Sequence, residues 1–478
     1  MARCILLAVL AAACSSPAIP CVAPEDAPRP NVTKAPPVSA ENAREGGDGW
    51  QIDRLAEDGQ IEGYASAPSI TAGESLRVFV RTASAPEFTV EAWRIGWYGG
   101  RGGRSLLAAT TYPRRAQPDP ITDDLTGLIT CPWTASATIT TDASWPPGIY
   151  MVKLTALPSG HQRYVPFVIR DDAARGTIVF QTAFSTALAY NEWGGRSTYK
   201  PNPAIRVSLD RPFQRGQGAG DFFLTEVALL RFLEREGVPL SYVTSLDVHR
   251  HGEFLLDQRA FFSAGHDEYW SLEMRDAVEA ARDAGVSVTF FAGNAAYWAV
   301  RFEPNARGEP DREMVAYKER LSADPHKDDA RASGRWRDKP IERPENHLSG
   351  VRYEYGFWGF ETDWTARAGG HWLLEGTGLD SGSVLTGLAG GEADHREDGT
   401  PSCVTLIGDA EFSARDEKPG KSETTLYFAD SGALVFAWGS HNLAFGLEPR
   451  TVPPREPSLV QDGAQTIVKN LVRRIMAE

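Results

Sequence analysis

The pattern of apolar and polar positions divides the chain into two regions of different period. Up to about residue 170, short runs alternate apolar and polar residues and are separated by turn residues, a pattern typical of half-buried β-strands. The clearest of these runs are 75–80, 88–94, 148–154 and 164–169. The pattern predicts a β-sandwich over residues 49–172.

From residue 173 onward, continuous apolar runs alternate with stretches of helical period. The runs are 177–180, 242–244, 260–263, 286–291 and 433–438, and the helical stretches are about 221–236, 271–284 and 458–476. They predict an α/β doubly wound (flavodoxin/glutamine-amidotransferase-like) domain over 173–478, preceded by an immunoglobulin-like β-sandwich. Within the α/β domain, residues of about 301–425 read as an irregular insertion.

The N-terminus has the features of an export signal. A short basic start precedes an apolar stretch that is too short to span a bilayer, and residues 11–14 resemble a lipobox ending in Cys14. We therefore predict a signal peptide over 1–14, lipid attachment at Cys14 and a flexible tether over 15–48. An ordinary signal-peptidase site remains open, which would make the protein periplasmic or secreted.

Composition narrows the function classes. The net charge of −14 disfavours nucleic-acid binding, which needs clustered Lys and Arg. The five cysteines show no spacing typical of a structural zinc site. Cys131 and Cys403 could pair in an oxidising compartment, although the sequence does not show that they meet.

Candidate chemistry lies where the predicted parallel strands end, because ligands bind beyond the carboxyl ends of such strands. Tyr190 and Tyr199 follow the first strand, Asp247 and His249 follow the second, and the next two are followed by His266, Glu268 and Asn294. Glu268 could bind a hard metal or act as a base, or could merely complement a helix N-terminus. Since no Gly-x-Ser-x-Gly turn is present, metal-assisted hydrolysis fits better than a covalent serine mechanism.

A glycine-rich segment with aromatic and arginine residues, 97–104, lies between two predicted strands. It could be a ligand-binding loop. We favour a tight hairpin whose glycines adopt positive φ angles, because glycine so commonly marks turns.

Several blocks together resemble a known family. The segments are AYNEWGGRSTY (189–199), SLDRPF (208–213), TSLDVH (244–249), GHDEYWS (265–271), GNAAYW (293–298) and EAWRIGWYGGRGGR (91–104). They are similar to blocks of the large, or β, subunit of N,N-dimethylformamidase, and the resemblance covers roughly residues 50–450. The ordered set is specific in a way that no single block is.

The resemblance implies a mononuclear, ferric iron site held by two tyrosines and one glutamate. Matched residue by residue, Glu268 is the glutamate ligand, Tyr190 one tyrosine ligand, and Tyr199 the second, with Tyr150 as the alternative. His266 and Asn294 match catalytic residues. The metal would polarise a small amide, and His266 or another group would move protons.

The family enzyme is cytoplasmic and works with a small subunit, whereas this chain carries an export signal. We therefore expect an exported, iron-dependent hydrolase of small amide or other C–N bonds in the cell envelope, which could also form homo-oligomers. A non-catalytic surface lipoprotein that binds a glycan or peptide is the main alternative, and a structural envelope protein is a third.

Overall fold

The computed structural model describes residues 21–22, 38–413, 419–449 and 457–477, without the side chains of residues 21–22 and 355–360. The predicted signal peptide, Cys14 and most of the predicted tether lie outside the described residues. Among the residues that are described, no helix has the length and apolar character needed to cross a bilayer.

The described part of the chain contains twenty-four strands in chain order. They are β1 Cys21–Val22, β2 Glu62–Ala65, β3 Ser69–Thr71, β4 Ser75–Arg81, β5 Glu87–Ile95, β6 Gly103–Pro113, β7 Ile121–Asp123, β8 Leu128–Thr130, β9 Ala137–Thr140, β10 Gly148–Leu157, β11 Gln162–Arg170, β12 Ile178–Thr182, β13 Arg206–Ser208, β14 Leu240–Thr244, β15 Ala260–Ser263, β16 Tyr269–Ser271, β17 Ser287–Phe290, β18 Trp298–Glu303, β19 Glu313–Val315, β20 Arg352–Ala366, β21 Val384–His395, β22 Thr405–Ser413, β23 Pro419–Ala429 and β24 Leu434–Ala437.

Helices are fewer and mostly short. The α-helices are α1 Ser39–Asn42, α2 Phe184–Ala189, α3 Val227–Arg235, α4 Ser245–His251, α5 Leu272–Asp283, α6 Asn346–Ser349 and α7 Asp462–Met476. Short 3₁₀ helices lie at Tyr98–Gly100, Trp193–Gly195, Gly216–Gly218, Gly252–Asp257, Lys318–Ala323, Trp372–Leu374 and Asn442–Gly446, and a π-helical turn at Phe222–Glu226.

The N-terminal region contains two sheets that share an apolar core, and a third sheet of two strands, β7-β8. Of the two that share the core, one has the order β3-β11-β10-β5-β6 and the other the order β2-β4-β9. Alternate residues of β4, Leu76, Val78 and Val80, pack against the first sheet, as the period of two predicted. An immunoglobulin-like sandwich divides seven to nine strands differently, so this order does not support that assignment.

The glycine-rich segment 97–104 forms the turn between β5 and β6, which pair antiparallel. Gly99, Gly100 and Gly102 all have positive φ. The hairpin interpretation is therefore confirmed.

The end of the predicted tether, residues 38–48, packs against this hairpin. It contains α1, and Glu41 accepts hydrogen bonds from the Tyr98 hydroxyl at 2.7 Å and the Arg104 guanidinium at 2.7 Å. These contacts attach that part of the segment to the folded body.

The largest sheet has ten strands in the order β14-β12-β15-β17-β24-β23-β22-β20-β21, with β1 paired to β23. The pairs from β14 to β24 are parallel, and from β24 to β21 every pair is antiparallel. The individual strands and the helices α3, α5 and α7 lie where the apolar periods predicted them.

The predicted α/β doubly wound, flavodoxin/glutamine-amidotransferase-like domain is nevertheless wrong. The molecule is rich in β-structure, its main sheet is mixed, and four further sheets of two to five strands accompany it. The region predicted as an irregular insertion supplies four long strands, β20 to β23, that extend the sheet beyond its parallel part. Apolar periodicity identifies strands locally but does not report which strand each one pairs with, and this is why the prediction failed.

Helices cover both faces of the parallel strands, because successive strand residues point to opposite sides. Phe180 and Phe262 face α3 and α7, whereas Val179 and Phe261 face α5. The parallel strands are thereby fixed in a dry core, and their carboxyl ends meet at one edge.

The two cysteines that could have paired do not. Cys131 is a free, buried thiol, and Cys403 is disulfide-bonded. The Cys131–Cys403 pairing is therefore wrong.

Candidate active site

The candidate active site lies at the carboxyl edge of the parallel strands. Tyr190 directly follows α2, which begins after β12, while His266 and Glu268 lie in the turn between β15 and β16. Asn294 lies between β17 and β18. The strand-end rule therefore located this site even though the complete sheet differs from the prediction.

Three oxygen-bearing side chains converge at its centre. The Tyr190 hydroxyl donates to Glu268 Oε2 at 2.8 Å, and the Tyr199 hydroxyl lies 3.0 Å from the same oxygen and 3.2 Å from Oε1. The two phenol oxygens are 2.8 Å apart, and the rings stack with their centroids at 4.4 Å. Glu268 comes 78 positions after Tyr190 and 69 positions after Tyr199 in the sequence. The fold thus brings distant residues into one hydrogen-bonded group.

Local backbone contacts fix Glu268. Its backbone N–H and that of Tyr269 both donate to the Thr186 hydroxyl of α2, at 2.9 and 3.2 Å. The turn begins at Gly265, where φ is +64° and a Cβ atom would lie 2.5 Å from Glu226 Cγ. A side chain at Gly265 would be both strained and too close, so glycine is required here.

Burial makes ionisation of these groups unfavourable in the chain alone. It raises the pKa of Tyr190 and of Tyr199 well above the ordinary value, and the charge of Glu268 raises both further. Burial also raises the pKa of Glu268, as does Glu392, against the opposing charges of His266 and Lys318. A cation among the three oxygens would reverse these preferences.

Beside this group, two buried histidines converge on one carboxylate. His266 Nε2 lies 2.9 Å from Glu392 Oε2, and His441 Nε2 lies 3.3 Å from the same oxygen. His266 Nε2 is also 3.4 Å from Glu268 Oε2, so it joins the two groups. The histidine rings meet edge to face with centroids at 4.7 Å.

The shared carboxylate sets the charges of this second group. Burial alone would lower the pKa of His266, but Glu392 raises it to about 9. Burial would raise the pKa of Glu392, yet the charges and hydrogen bonds of the two histidines hold it below its ordinary range. Burial and the neighbouring His266 lower the pKa of His441. The shared carboxylate therefore favours the protonated form of His266 more than that of His441.

A glycine makes room for His441. Gly391 in β21 has a φ of +80°, and a Cβ atom there would lie 2.5 Å from His441 Cδ2. The neighbouring Glu392 can face His441 only because residue 391 carries no side chain.

Asn294 has an unusual environment. Its φ is +57°, its backbone N–H donates to Asp394 Oδ1 at 2.7 Å, and its buried side-chain oxygen accepts no hydrogen bond from the described residues. An unsatisfied buried acceptor costs about 1–3 kcal/mol, and strained residues with φ above zero cluster at functional sites. A water or substrate N–H would satisfy this oxygen.

Two cations lie on the outer faces of the tyrosine pair. Lys318 Nζ is 3.4 Å from the centroid of Tyr199, and Arg215 Cζ is 5.0 Å from that of Tyr190. The hydroxyl of Tyr269 adds a hydrogen bond to Tyr199 at 2.7 Å. Burial lowers the pKa of Lys318 to about 8.

A family model for the C-terminal domain of N,N-dimethylformamidase beta subunit-like proteins matches residues 89–456, more than three quarters of the chain. The chain belongs to this family. A search of curated proteins found no significant match. The resemblance seen in the sequence blocks is therefore confirmed, and the family points to a hydrolase of the dimethylformamidase type.

The residues that the family resemblance selected lie together. Tyr190, Tyr199 and Glu268 share hydrogen bonds, and His266 contacts Glu268. Asn294 follows directly on Gly293, where a Cβ atom would meet the backbone of Glu392. Their metal-binding and catalytic roles remain predictions.

Three other sequence candidates lie elsewhere. The hydroxyl of Tyr150 donates to the Pro146 carbonyl at 2.6 Å inside the N-terminal core. Asp247 caps α4 and pairs with Arg170, and His249 contacts Ser271. Asp247 and His249 therefore support structure at the second strand end.

Sequence reasoning missed Glu392, His441 and Lys318. His441 follows the last parallel strand, β24, so the strand-end rule applied to that run would have found it. Glu392 comes from an antiparallel strand within the predicted insertion, and Lys318 from a 3₁₀ helix there. No local pattern marks either residue.

The tyrosine–glutamate group fits a hard trivalent cation. Its two phenol oxygens and its carboxyl oxygens lie 2.8–3.2 Å apart. Phenolate and carboxylate oxygens are hard donors suited to ferric iron. His266, Glu392 and His441 form a second possible set, with ligand atoms within 4.8 Å of one another. Its nitrogen donors suit softer divalent ions.

Proposed function

We propose that the protein is an exported, iron-dependent hydrolase of small amide or other C–N bonds. Tyr190, Tyr199 and Glu268 would hold one ferric ion, with His266 and Asn294 beside it. Membership of the dimethylformamidase-like family supports the reaction class. The disulfide at Cys403 suits an oxidising compartment and so supports export.

The convergence of Tyr190, Tyr199 and Glu268 carries the proposal. Two phenols and a carboxyl lie within 3.2 Å of one another, and burial raises the pKa of all three. Groups whose pKa values are shifted in this way cluster at functional sites.

The iron would polarise the amide carbonyl and make a water nucleophilic at neutral pH. The residues of the chain would then direct protons. His266, charged through its contact with Glu392, can give its Nε2 proton to the leaving amine nitrogen and recover one from the attacking water. His441 Nε2 contacts the same Glu392 oxygen at 3.3 Å, which helps to keep the carboxylate aimed at His266.

Asn294 can orient the substrate. Its buried side-chain oxygen can accept an N–H, and its position is fixed by Asp394 and the neighbouring turn. An open cavity of about 510 Å³ borders the ring of Tyr199 and is lined largely by polar residues such as Ser197, Asn202 and Gln214. It offers a route for a small polar molecule to approach this side of the site.

The deciding experiment measures iron content and visible absorption of the purified full chain, alongside Glu268→Gln, Tyr190→Phe and Tyr199→Phe. We expect about one iron per chain with a phenolate-to-iron band, and loss of iron, colour and at least about 99% of amidase activity in Glu268→Gln. Tyr150→Phe is the matched control, because that tyrosine lies in the N-terminal core, and it should keep both iron and colour.

Other results of the same experiment would indicate a different metal site or exclude a metal. Metal that survives all three changes but is lost in His441→Ala would place the ion on the histidine pair instead. A chain that takes up no metal after iron supplementation would exclude the iron-dependent hydrolase and favour a binding lipoprotein. Fractionation of cells expressing the full chain would test export, which predicts an envelope or periplasmic fraction.

A further inference from the structure

Each tyrosine of the candidate iron site carries a cation on its outer ring face. Lys318 Nζ lies 3.4 Å from the centroid of Tyr199, and Arg215 Cζ lies 5.0 Å from the centroid of Tyr190. Because the two rings stack on each other, the cations lie against a single phenol pair. The electron-rich face of an aromatic ring attracts a cation, and more strongly when water is excluded.

Lys318 is the more unusual of the two. It is 7% exposed, and no carboxylate of the described residues lies within 4.0 Å of its ammonium group. Its hydrogen bond to the Thr198 carbonyl is long, at 3.5 Å. Its φ of +56° adds backbone strain. Burying an ammonium group without an ion pair is costly, which is why burial lowers the pKa of Lys318, and negative potential from its surroundings offsets part of that cost.

This negative potential comes from the aromatic rings around the ammonium and from the carboxylate of the candidate site. Besides Tyr199, the rings of Trp298 and Tyr269 surround the ammonium at 4.9 and 5.6 Å. The charge of Glu268 also acts on Lys318. The ammonium therefore lies against one proposed ligand, Tyr199, and against two rings that are not ligands.

Arg215 is compensated in a more ordinary way. Its Nε lies 3.2 Å from Asp221 Oδ1, and its side chain is 30% exposed. The ion pair and the solvent reduce the positive potential that reaches Tyr190. Arg215 should act in the same direction as Lys318, but more weakly.

We propose that Lys318, and more weakly Arg215, are positioning residues that stabilise the negative charge on the two phenol oxygens when these bind an ion. This inference rests on the proposed iron site. If the tyrosines hold an ion, each phenol would lose its O–H proton to solvent and its oxygen would serve as a donor to the ion. A cation against the ring stabilises the phenolate that remains and lowers the energy of its donor electrons.

The test compares iron retention and the visible absorption maximum of the full chain in wild type, Lys318→Met and Arg215→Met. We expect Lys318→Met to retain iron about tenfold less well against a chelator, because a desolvated cation–π contact is worth that order. Its phenolate-to-iron band should move to longer wavelength, since the donor electrons lie higher. Arg215→Met should show a smaller change of the same sign, and Lys318→Arg should restore most of the wild-type behaviour.

Arg335→Met is the matched control. Arg335 also faces two aromatic rings, at 5.8 Å from Tyr297 and 5.7 Å from Trp298, but neither ring belongs to the proposed ligand set. It should leave both retention and band unchanged. If Arg335→Met shifted the absorption band or the iron retention by an equal amount, the effect would come from general surface charge and the assignment would be wrong.

Two results separate the possible failures. If the wild-type protein contains no iron, both the proposed function and this inference are wrong. If the wild-type protein contains iron and Lys318→Met has the same absorption band and the same iron retention, only the inference is wrong. If Lys318→Met does not fold, Arg215→Met decides, and its failure to move either quantity would overturn the proposal.

Discussion

Two buried clusters in this protein are built from the same residue types but are completed differently. At the interface of β5 and α3, Glu234 lies among Tyr98, Tyr242 and Arg94. In the candidate active site, Glu268 lies among Tyr190 and Tyr199. In both, a fully buried carboxyl is surrounded by phenol oxygens.

The two clusters differ in whether a guanidinium group lies among their oxygens. Arg94 contacts both Glu234 oxygens at 3.2 and 2.7 Å and both phenol oxygens at 3.0 and 3.1 Å, so its fork fills the centre of that cluster. No arginine or lysine nitrogen of the described residues lies within 4.0 Å of the Glu268 carboxylate, whose basic contact is His266 Nε2 at 3.4 Å, to one side of the three oxygens. A carboxyl with two tyrosines is therefore structural where a guanidinium completes it, and a candidate ion site where the oxygens face one another.

The largest expected contrast comes from the same change in both clusters. Glu234→Gln should cost about 3–5 kcal/mol of unfolding free energy, because it leaves Arg94 buried without its counter-charge. Glu268→Gln should change stability by less than about 1 kcal/mol or increase it, because burial already disfavours the ionised acid there. Urea unfolding of both metal-free variants measures the difference. Equal losses would erase the distinction between the two clusters.

A smaller effect should appear with pH at another structural carboxylate. Burial would raise the pKa of Glu279, but Arg275 and Arg343 lower it to about 2. Since the folded pKa lies below the unfolded value of about 4.5, its stabilisation is present above that pH and is lost as the pH falls toward 2. Glu279→Gln should therefore cost about 2 kcal/mol at pH 7 and progressively less in acid.

Unfolding curves at several pH values between 7 and 2.5 check this prediction. Asp276→Asn is the control, because Asp276 is the exposed partner of the same Arg343, and it should cost less than about 1 kcal/mol. A cost for Glu279→Gln that did not depend on pH would contradict the assignment of its stabilisation to charge.

The smallest contrast concerns single hydroxyl groups. Tyr98→Phe should cost about 1–2 kcal/mol, since its hydroxyl accepts from Arg94 and donates to Glu41. Tyr199→Phe should cost less than about 1 kcal/mol, because the hydroxyls of Tyr190 and Tyr269 remain beside it, but it should alter the visible band of iron-loaded protein. If Tyr199→Phe lowered the free energy of unfolding as much as Tyr98→Phe does and left the visible band unchanged, the predicted difference between the two clusters would be wrong.

Much of the site was predictable from particular residues. Tyr190, His266, Glu268 and Asn294 lie just after apolar runs, and parallel strands end at one edge, so their proximity followed from order along the chain. The family blocks then selected Tyr199 from several aromatic candidates. Asp247 and His249 obey the same strand-end rule, yet their side chains pair with Arg170 and Ser271, because side-chain direction is not encoded in strand order.

The sequence by itself determined the local elements, the family and the central ligand candidates, since these depend on residue types at short range and on ordered blocks. Only the tertiary structure decided that β20 to β23 extend the parallel strands into a mixed sheet, and that Glu392 and Lys318 reach the site. Strand pairing and buried charge contacts join residues far apart in the chain. The free energy that selects them comes from shared burial, which no local pattern records.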